Sequence, residues 1–136
     1  MPSEISQRLI SDALDEIGFE SYIDNDCDLF IVLHADNDFK YNVQIYFQVE
    51  NNWLRVFAVS PEFDSKCYNR QRNLEAVNQC NCDLKTTKTY CNKNRIVVER
   101  YELIDEYVSD NFLSQNCLKL TVSAIWKTFC RLGQLI

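Results

Sequence analysis

The sequence predicts an α+β fold with an antiparallel sheet of five or six strands and three helices. Three segments carry apolar residues at helical spacing, and the segments between them alternate as strands do. The strands are joined by short polar turns, which suit antiparallel neighbours and not parallel ones. The predicted order is α-β-β-β-α-β-β-α, with room for one extra short strand after the first helix.

The length predicts a single domain over residues 1–136. A chain of this size buries about two thirds of the surface of its unfolded form. We therefore expect it to fold without a disulfide or a metal.

The charge balance bears on the class of partner. Twenty acidic residues against 14 basic ones give a net charge of -6, the wrong sign for gripping a phosphate backbone. The N-terminal segment has acids within its apolar periodicity, which is typical neither of a signal peptide nor of a membrane span. We expect a cytoplasmic protein that binds neither nucleic acid nor membrane, with its seven cysteines reduced.

The first helix is predicted from Ser3, a plausible N-cap, to Gly18, a residue suited to ending a helix. Its predicted buried face is formed by five residues: Ile5, Leu9, Ala13, Leu14 and Ile17.

The first group of strands follows. We expect a short strand at Phe19–Ile23, a central strand at Leu29–Leu33 and an alternating strand at Tyr41–Val49. Asn51-Asn52 is predicted to form a hairpin turn into a strand at Trp53–Val59.

The second half of the chain begins with a break at Ser60-Pro61 and a polar connection through Ser65. A helix is expected over roughly Cys67 to Cys82, then strands at Lys85–Cys91 and Arg95–Leu103. The last helix has Ser109 as a plausible N-cap, and its apolar residues step by three or four: Leu118, Val122, Ile125, Phe129, Leu132 and Ile136.

One segment resembles a known family. Residues 73–103, NLEAVNQCNCDLKTTKTYCNKNRIVVERYEL, resemble the signature region of the YbjN-type family of bacterial sensory transduction regulators. The matching positions are Val77-Asn78, Asn81, Lys88, Tyr90, the turn at Asn92 to Asn94, and Ile96 to Glu102. The turn departs from the family pattern, because it reads Asn-Lys-Asn where Asp-Gly is common.

The resemblance implies a fold similar to that of type III secretion chaperones, in which helices cover one face of an antiparallel sheet. Those chaperones are small acidic dimers that hold an extended partner chain. The resemblance implies no catalytic residue.

Four residues of this segment are candidate structural or recognition positions. The amides of Asn78 and Asn81 could line a recognition site or tie the helix end to the following strand, and we favour the structural role. Tyr90 and Tyr101 are predicted to supply apolar contacts within the strand pair.

Metal and cofactor sites are not predicted. Cys80 and Cys82 would point about 200° apart on a continuing helix and could not share a zinc ion. An EF-hand loop starting at Asp24 would have Leu29 and Ala35 at positions that need Gly and Glu.

Catalysis is not predicted either. The single histidine, His34, has no sequence context of a thiol enzyme, and the chain lacks a glycine-rich phosphate loop.

We therefore expect a non-enzymatic, chaperone-like or regulatory module that binds another polypeptide or forms a homodimer. The alternative is a small-molecule or signal-sensing domain with a pocket between the last helix and the sheet. In that alternative, polar groups such as Tyr46, Arg55 and Tyr101 would converge on an otherwise apolar pocket.

Overall fold

The computed structural model describes residues 4–50, 53–104 and 116–136. Within them it confirms the α+β class, with one six-stranded antiparallel sheet in the order β1-β2-β3-β4-β6-β5. The elements in chain order are α1 (Glu4–Glu16), β1 (Tyr22–Ile23), β2 (Leu29–Leu33), β3 (Val43–Glu50), β4 (Trp53–Val59), α2 (Pro61–Asp64), α3 (Arg70–Asp83), β5 (Lys88–Asn92), β6 (Arg95–Leu103) and α4 (Lys119–Leu135).

The two faces of the sheet differ. Along β3 the residues alternate between buried and half-buried, and Ile45, Phe47 and their cross-strand neighbours Ala58 and Val56 are buried in one core with α1 and α4. The opposite face, which we call the open face, carries the alternate residues and no described helix packs on it. A sheet with one covered face needs this period of two.

The end of α1 is fixed by its backbone. Gly18 adopts a φ of +91°, its N–H donates to Asp15, and the N–H of Phe19 donates to Leu14 at 2.9 Å. This pair of bonds is the Schellman motif, which satisfies the last carbonyls of a helix. The predicted stop at Gly18 is confirmed.

The predicted buried face of α1 was partly wrong. Ala13 and Leu14 are buried, but Leu9 is 37% exposed and Ile10 takes its place in the core. Apolar spacing by three or four residues does not determine which of two neighbouring apolar residues is buried. That depends on how the helix is oriented against the sheet.

The stripe of the last helix is largely confirmed. Leu118, Val122, Ile125, Phe129 and Leu132 are buried, while Ile136 is half-buried. At roughly 1.5 to 3 kcal/mol for each large side chain, this burial is a major part of the folding energy.

The connection after β4 contains a helix that the sequence did not predict. Pro61 starts the short helix α2, since proline fixes the φ that a first helical turn needs. The next helix begins at Arg70 and not at Cys67, because the Asn69 side chain accepts from the N–H of Arg72 and caps it.

Other boundaries also moved. β1 covers Tyr22–Ile23 alone, and β5 starts at Lys88 and not at Lys85. The predicted caps Ser3 and Ser109 and the turn at Asn51-Asn52 lie outside the described residues. In the described part of the chain, no helix has the length and apolar character needed to cross a membrane.

Candidate functional site

Asn81 joins α3 to β5. Its side-chain Nδ2 donates to the carbonyl of Thr89, and its Oδ1 accepts from the N–H of the same residue, both at 2.8 Å. Asn78, one turn earlier, is exposed. The structure therefore places the two candidate amides in different surroundings.

Tyr90 belongs to a polar cluster on the open face. Its hydroxyl donates to Glu99 Oε2 at 3.0 Å, and the same oxygen accepts from Arg55 Nε at 3.0 Å and Nη2 at 2.8 Å. Glu99 is 7% exposed, so its charge needs these donors. Arg55 also donates to Gln48 and lies 4.3 Å above the ring centre of Phe57.

The cluster shifts the proton affinities of its members. Burial, followed by the hydrogen bond and charge of Glu99, raises the pKa of Tyr90. Burial is the largest single influence on the pKa of Arg55 and would lower it, but the hydrogen bond and charge of Glu99, with smaller contributions from Tyr90 and Tyr101, together raise that pKa. Tyr90 thus stays protonated and Arg55 stays charged, which suits a structural ion pair more than proton transfer.

Tyr101 is the direct cross-strand partner of Arg55 and is half-exposed. Its ring meets Trp53 edge-on at 6.4 Å. Among the described residues, these two aromatics form an exposed patch at one end of the open face.

An aromatic row crosses the open face. Tyr22, Phe30, Tyr46 and Phe57 are direct cross-strand partners on β1 to β4, with successive ring centres 5.6, 5.4 and 5.1 Å apart. Sequence reasoning missed this row. The alternation of β3 placed Tyr46 on the outward face, but the other three rings were not assigned to a face, and only the register aligns all four.

A large groove lies at the β2 edge of the sheet. It has a volume of about 960 Å³ and lies between the end of α1, strand β2 and the start of α4. We call it the edge groove. Its lining is mainly apolar: Ile17, Gly18, Phe19, Glu20, Tyr22, Phe30, Val32, Leu33, His34, Asp36, Lys119, Val122, Ser123 and Trp126.

Local contacts hold the groove open. The Schellman turn directs Phe19 away from α1, and the hydroxyls of Ser11 and Ser21 bond at 2.8 Å to fix the connection into β1. On the other wall, Trp126 packs edge-on against the buried Phe39 at 5.8 Å. Each wall of the groove is thus supported by contacts of its own.

The groove borders an open strand edge. β1 begins at Tyr22, which pairs with Phe30, and the N–H of Asp24 donates to Asp28. Hydrogen-bonding residues of an antiparallel strand alternate, so the N–H and C=O of Val32 point to the same side as those of Phe30. No described strand lies opposite Val32 on that side.

The charged groups around the groove are mostly acidic. Glu20 and Asp36 are exposed at its walls, with Lys119 as the cation among its lining residues. The Glu20 carboxylate raises the pKa of Tyr22 through a hydrogen bond and its charge. His34 is exposed at the groove, and no cysteine is among the lining residues, so the structure does not bring the two together there.

The comparisons with known proteins agree with this architecture. The crystal structure of YbjN from E. coli, described as a candidate transcription regulator, superposes with a TM-score of 0.61 over 97% of this chain and 90% of YbjN, at 14% sequence identity. The chain has the fold of YbjN. No protein family matches the sequence, and no curated protein matches it.

The resemblance to YbjN noted in the sequence is thus confirmed at the level of the fold. In this YbjN-like domain, Tyr46, Arg55 and Tyr101 project from the open face and do not line the cavity beside α4. The prediction of a pocket lined by these three residues was wrong.

The cysteines and acidic turns of the YbjN-like domain form no metal cluster among the described residues. Cys80 is buried and Cys82 is exposed, so they point to opposite sides of α3. Asp24 Oδ1 accepts from the N–H groups of Asp26 and Asp28, both at 2.9 Å. This is ordinary turn chemistry.

Proposed function

We propose that this YbjN-like domain is a binding module and not an enzyme, and that it holds an extended segment of another protein along the β2 edge. The observation that carries the proposal is the unpaired backbone of Val32 beside the edge groove. An extended chain that adds to a sheet edge gains main-chain hydrogen bonds, and adjacent pockets supply specificity.

The geometry of strand addition fits both sides of this edge. Residues of an added strand would alternate between the two faces of the sheet. Side chains on the helix side would meet Val122 and Trp126, and those on the other side would meet Tyr22 and Phe30. We therefore expect a partner segment with apolar residues on both faces at its centre.

Charge indicates what flanks that segment. The domain has a net charge of -6, and Glu20 and Asp36 lie at the walls of the groove. Opposite charges at such a rim speed association and exclude wrong partners. The partner segment is expected to carry Lys or Arg beside its apolar residues.

The biological setting is part of the proposal. YbjN is described as a candidate transcription regulator, and a regulatory role through a protein partner is compatible with the acidic surface of this domain. All seven cysteines are free thiols, which supports a reducing compartment such as the cytoplasm.

A displayed library of random peptides tests the proposal. The wild-type domain should enrich sequences with an apolar centre and basic flanks. Ser123→Trp, which places a large side chain in the groove, should abolish the enrichment. Leu120→Trp is the matched control, because Leu120 is exposed on α4 outside the groove.

Val32→Pro tests the hydrogen bonds themselves. Its N–H faces the open edge, so proline removes a donor for the partner while leaving the ladder to β3 intact. An enriched peptide should bind Val32→Pro at least about tenfold more weakly, because the hydrogen bond from the Val32 N–H to the peptide is lost. Undiminished binding, or a domain that only self-associates, would overturn the proposal.

A small apolar ligand is the second candidate, favoured by the groove volume of about 960 Å³, near the upper end of known ligand pockets. The same two variants separate the candidates. Ser123→Trp blocks either occupant, whereas Val32→Pro weakens a peptide and leaves an apolar small molecule bound. A thermal-shift screen of metabolites supplies the probe compounds.

A further inference from the structure

A second cavity is formed by residues that do not line the edge groove. It has a volume of about 510 Å³ and is formed by the start of α3 and the β5–β6 turn. We call it the basic pocket, because Arg70, Lys93 and Arg95 line it. Asp64 is the one carboxylate among its lining residues, which leaves two positive charges in excess.

This local charge is opposite to that of the whole chain, which is -6. Within the described residues, none of the three cations forms an ion pair. Asp64 does not neutralise them by direct contact, since its Oδ1 accepts from the N–H of Ile96 at 3.1 Å. The pocket thus holds three cations without a matching set of protein anions.

The first turn of α3 is electrostatically unusual. It contains Arg70 and Arg72 and no acidic residue. Helices favour acids at this end, because the unpaired N–H groups there carry partial positive charge. Adding arginines to that end is unfavourable in the free protein, and an anion bound there would relieve the repulsion.

The turn residue Lys93 is also unusual. Its φ is +59°, a left-handed conformation that favours Gly or Asn over lysine. The chain therefore keeps a cation at a position where its backbone is disfavoured. Such strain is often found at functional sites.

We propose that the basic pocket binds a small phosphate monoester. Arginine forms paired hydrogen bonds with phosphate oxygens, and lysine adds a point charge. Tyr68 and Leu74, which are 85% and 43% exposed, also line the pocket and offer apolar surface to the organic part of the ligand. The volume of about 510 Å³ is within the range of pockets that bind small molecules.

Calorimetric titration with phenyl phosphate at low salt tests this assignment. Arg70→Gln with Arg95→Gln should weaken binding by about tenfold or more, since each charged hydrogen bond contributes strongly. Both side chains are exposed, so the fold should survive. Arg8→Gln with Lys127→Gln is the control, because it removes two exposed positive charges that lie outside the pocket.

The results have clear consequences. Binding lost in Arg70→Gln with Arg95→Gln and kept in Arg8→Gln with Lys127→Gln supports the pocket. No heat of binding, equal weakening by the two double variants, or stronger binding of a single-stranded oligonucleotide than of phenyl phosphate would overturn it. Ser123→Trp should leave phenyl phosphate binding unchanged, so this result is independent of the peptide-binding proposal.

Discussion

The side-chain amide of Asn81 replaces a strand neighbour for Thr89. Both backbone groups of Thr89 bond to this one amide at 2.8 Å, eight residues away in the sequence. β5 is an edge strand whose other side pairs with β6. The amide therefore satisfies groups that would otherwise be left open, and it fixes the angle at which the chain leaves α3.

We expect Asn81→Ala to lower the free energy of unfolding by about 1 to 3 kcal/mol, because it leaves the two backbone groups without partners. Urea denaturation measures this. Asn78→Ala is the control, and its exposed side chain should change stability by less than about 0.5 kcal/mol. If Asn78→Ala leaves stability unchanged but abolishes peptide binding, Asn78 is a recognition residue.

Arg55→Met should destabilise the domain by about 1 to 3 kcal/mol, since it leaves the buried Glu99 without its cation. The expected loss of stability is smaller than for a fully buried ion pair, because the Arg55 side chain is 24% exposed. Arg131→Met breaks a more exposed pair with Asp83 and should cost less than about 1 kcal/mol. Equal losses of unfolding free energy in the two variants would show that the buried Arg55–Glu99 pair contributes no more to stability than an exposed pair.

Stability should fall between pH 9 and 11. Burial raises the pKa of Cys80 and of Cys117 from 9.0 to about 11. Below pH 9 both thiols are protonated in the folded and unfolded chain. Above pH 9 the unfolded chain loses these protons first. Each thiol therefore lowers the free energy of unfolding by up to about 2 kcal/mol as the pH approaches 11.

Urea unfolding with a reducing agent at about pH 8 and about pH 10.5 measures this fall. Cys80→Ala lacks one of the two buried thiols and should lose less stability between the two conditions than the wild type. An equal loss would mean that other groups govern the fall in stability at alkaline pH, such as Cys67, whose pKa burial also raises to about 11.

Lys93→Gly should raise the free energy of unfolding by about 1 kcal/mol, because glycine adopts a φ of +59° without the clash of a side chain. The same variant should bind phenyl phosphate more weakly. Asn94→Gly, at the next turn position where φ is not positive, should not stabilise the domain. A destabilised Lys93→Gly would show that the lysine side chain contributes more to folding than its backbone costs.

The elements that sequence predicted best are those with a local cause. The alternation of β3 and the stripe of α4 follow from side-chain periods of two and 3.6, which depend only on the backbone of the same segment. The end of α1 at Gly18 also has a local cause, because glycine adopts the positive φ that this helix end needs. Predictions failed where burial depends on packing against other elements of the fold. Leu9, for example, is exposed while Ile10 is buried.

The sequence by itself determined the α+β class, the approximate order of the elements and the position of Asn81 at the end of a helix. Only the tertiary structure decided that β6 lies between β4 and β5, that Val32 faces an unpaired edge, and that Arg70, Lys93 and Arg95 line one pocket. These relationships depend on strand order and register between distant segments. No local pattern encodes them, because many registers satisfy the same alternation and only packing of the whole core selects one.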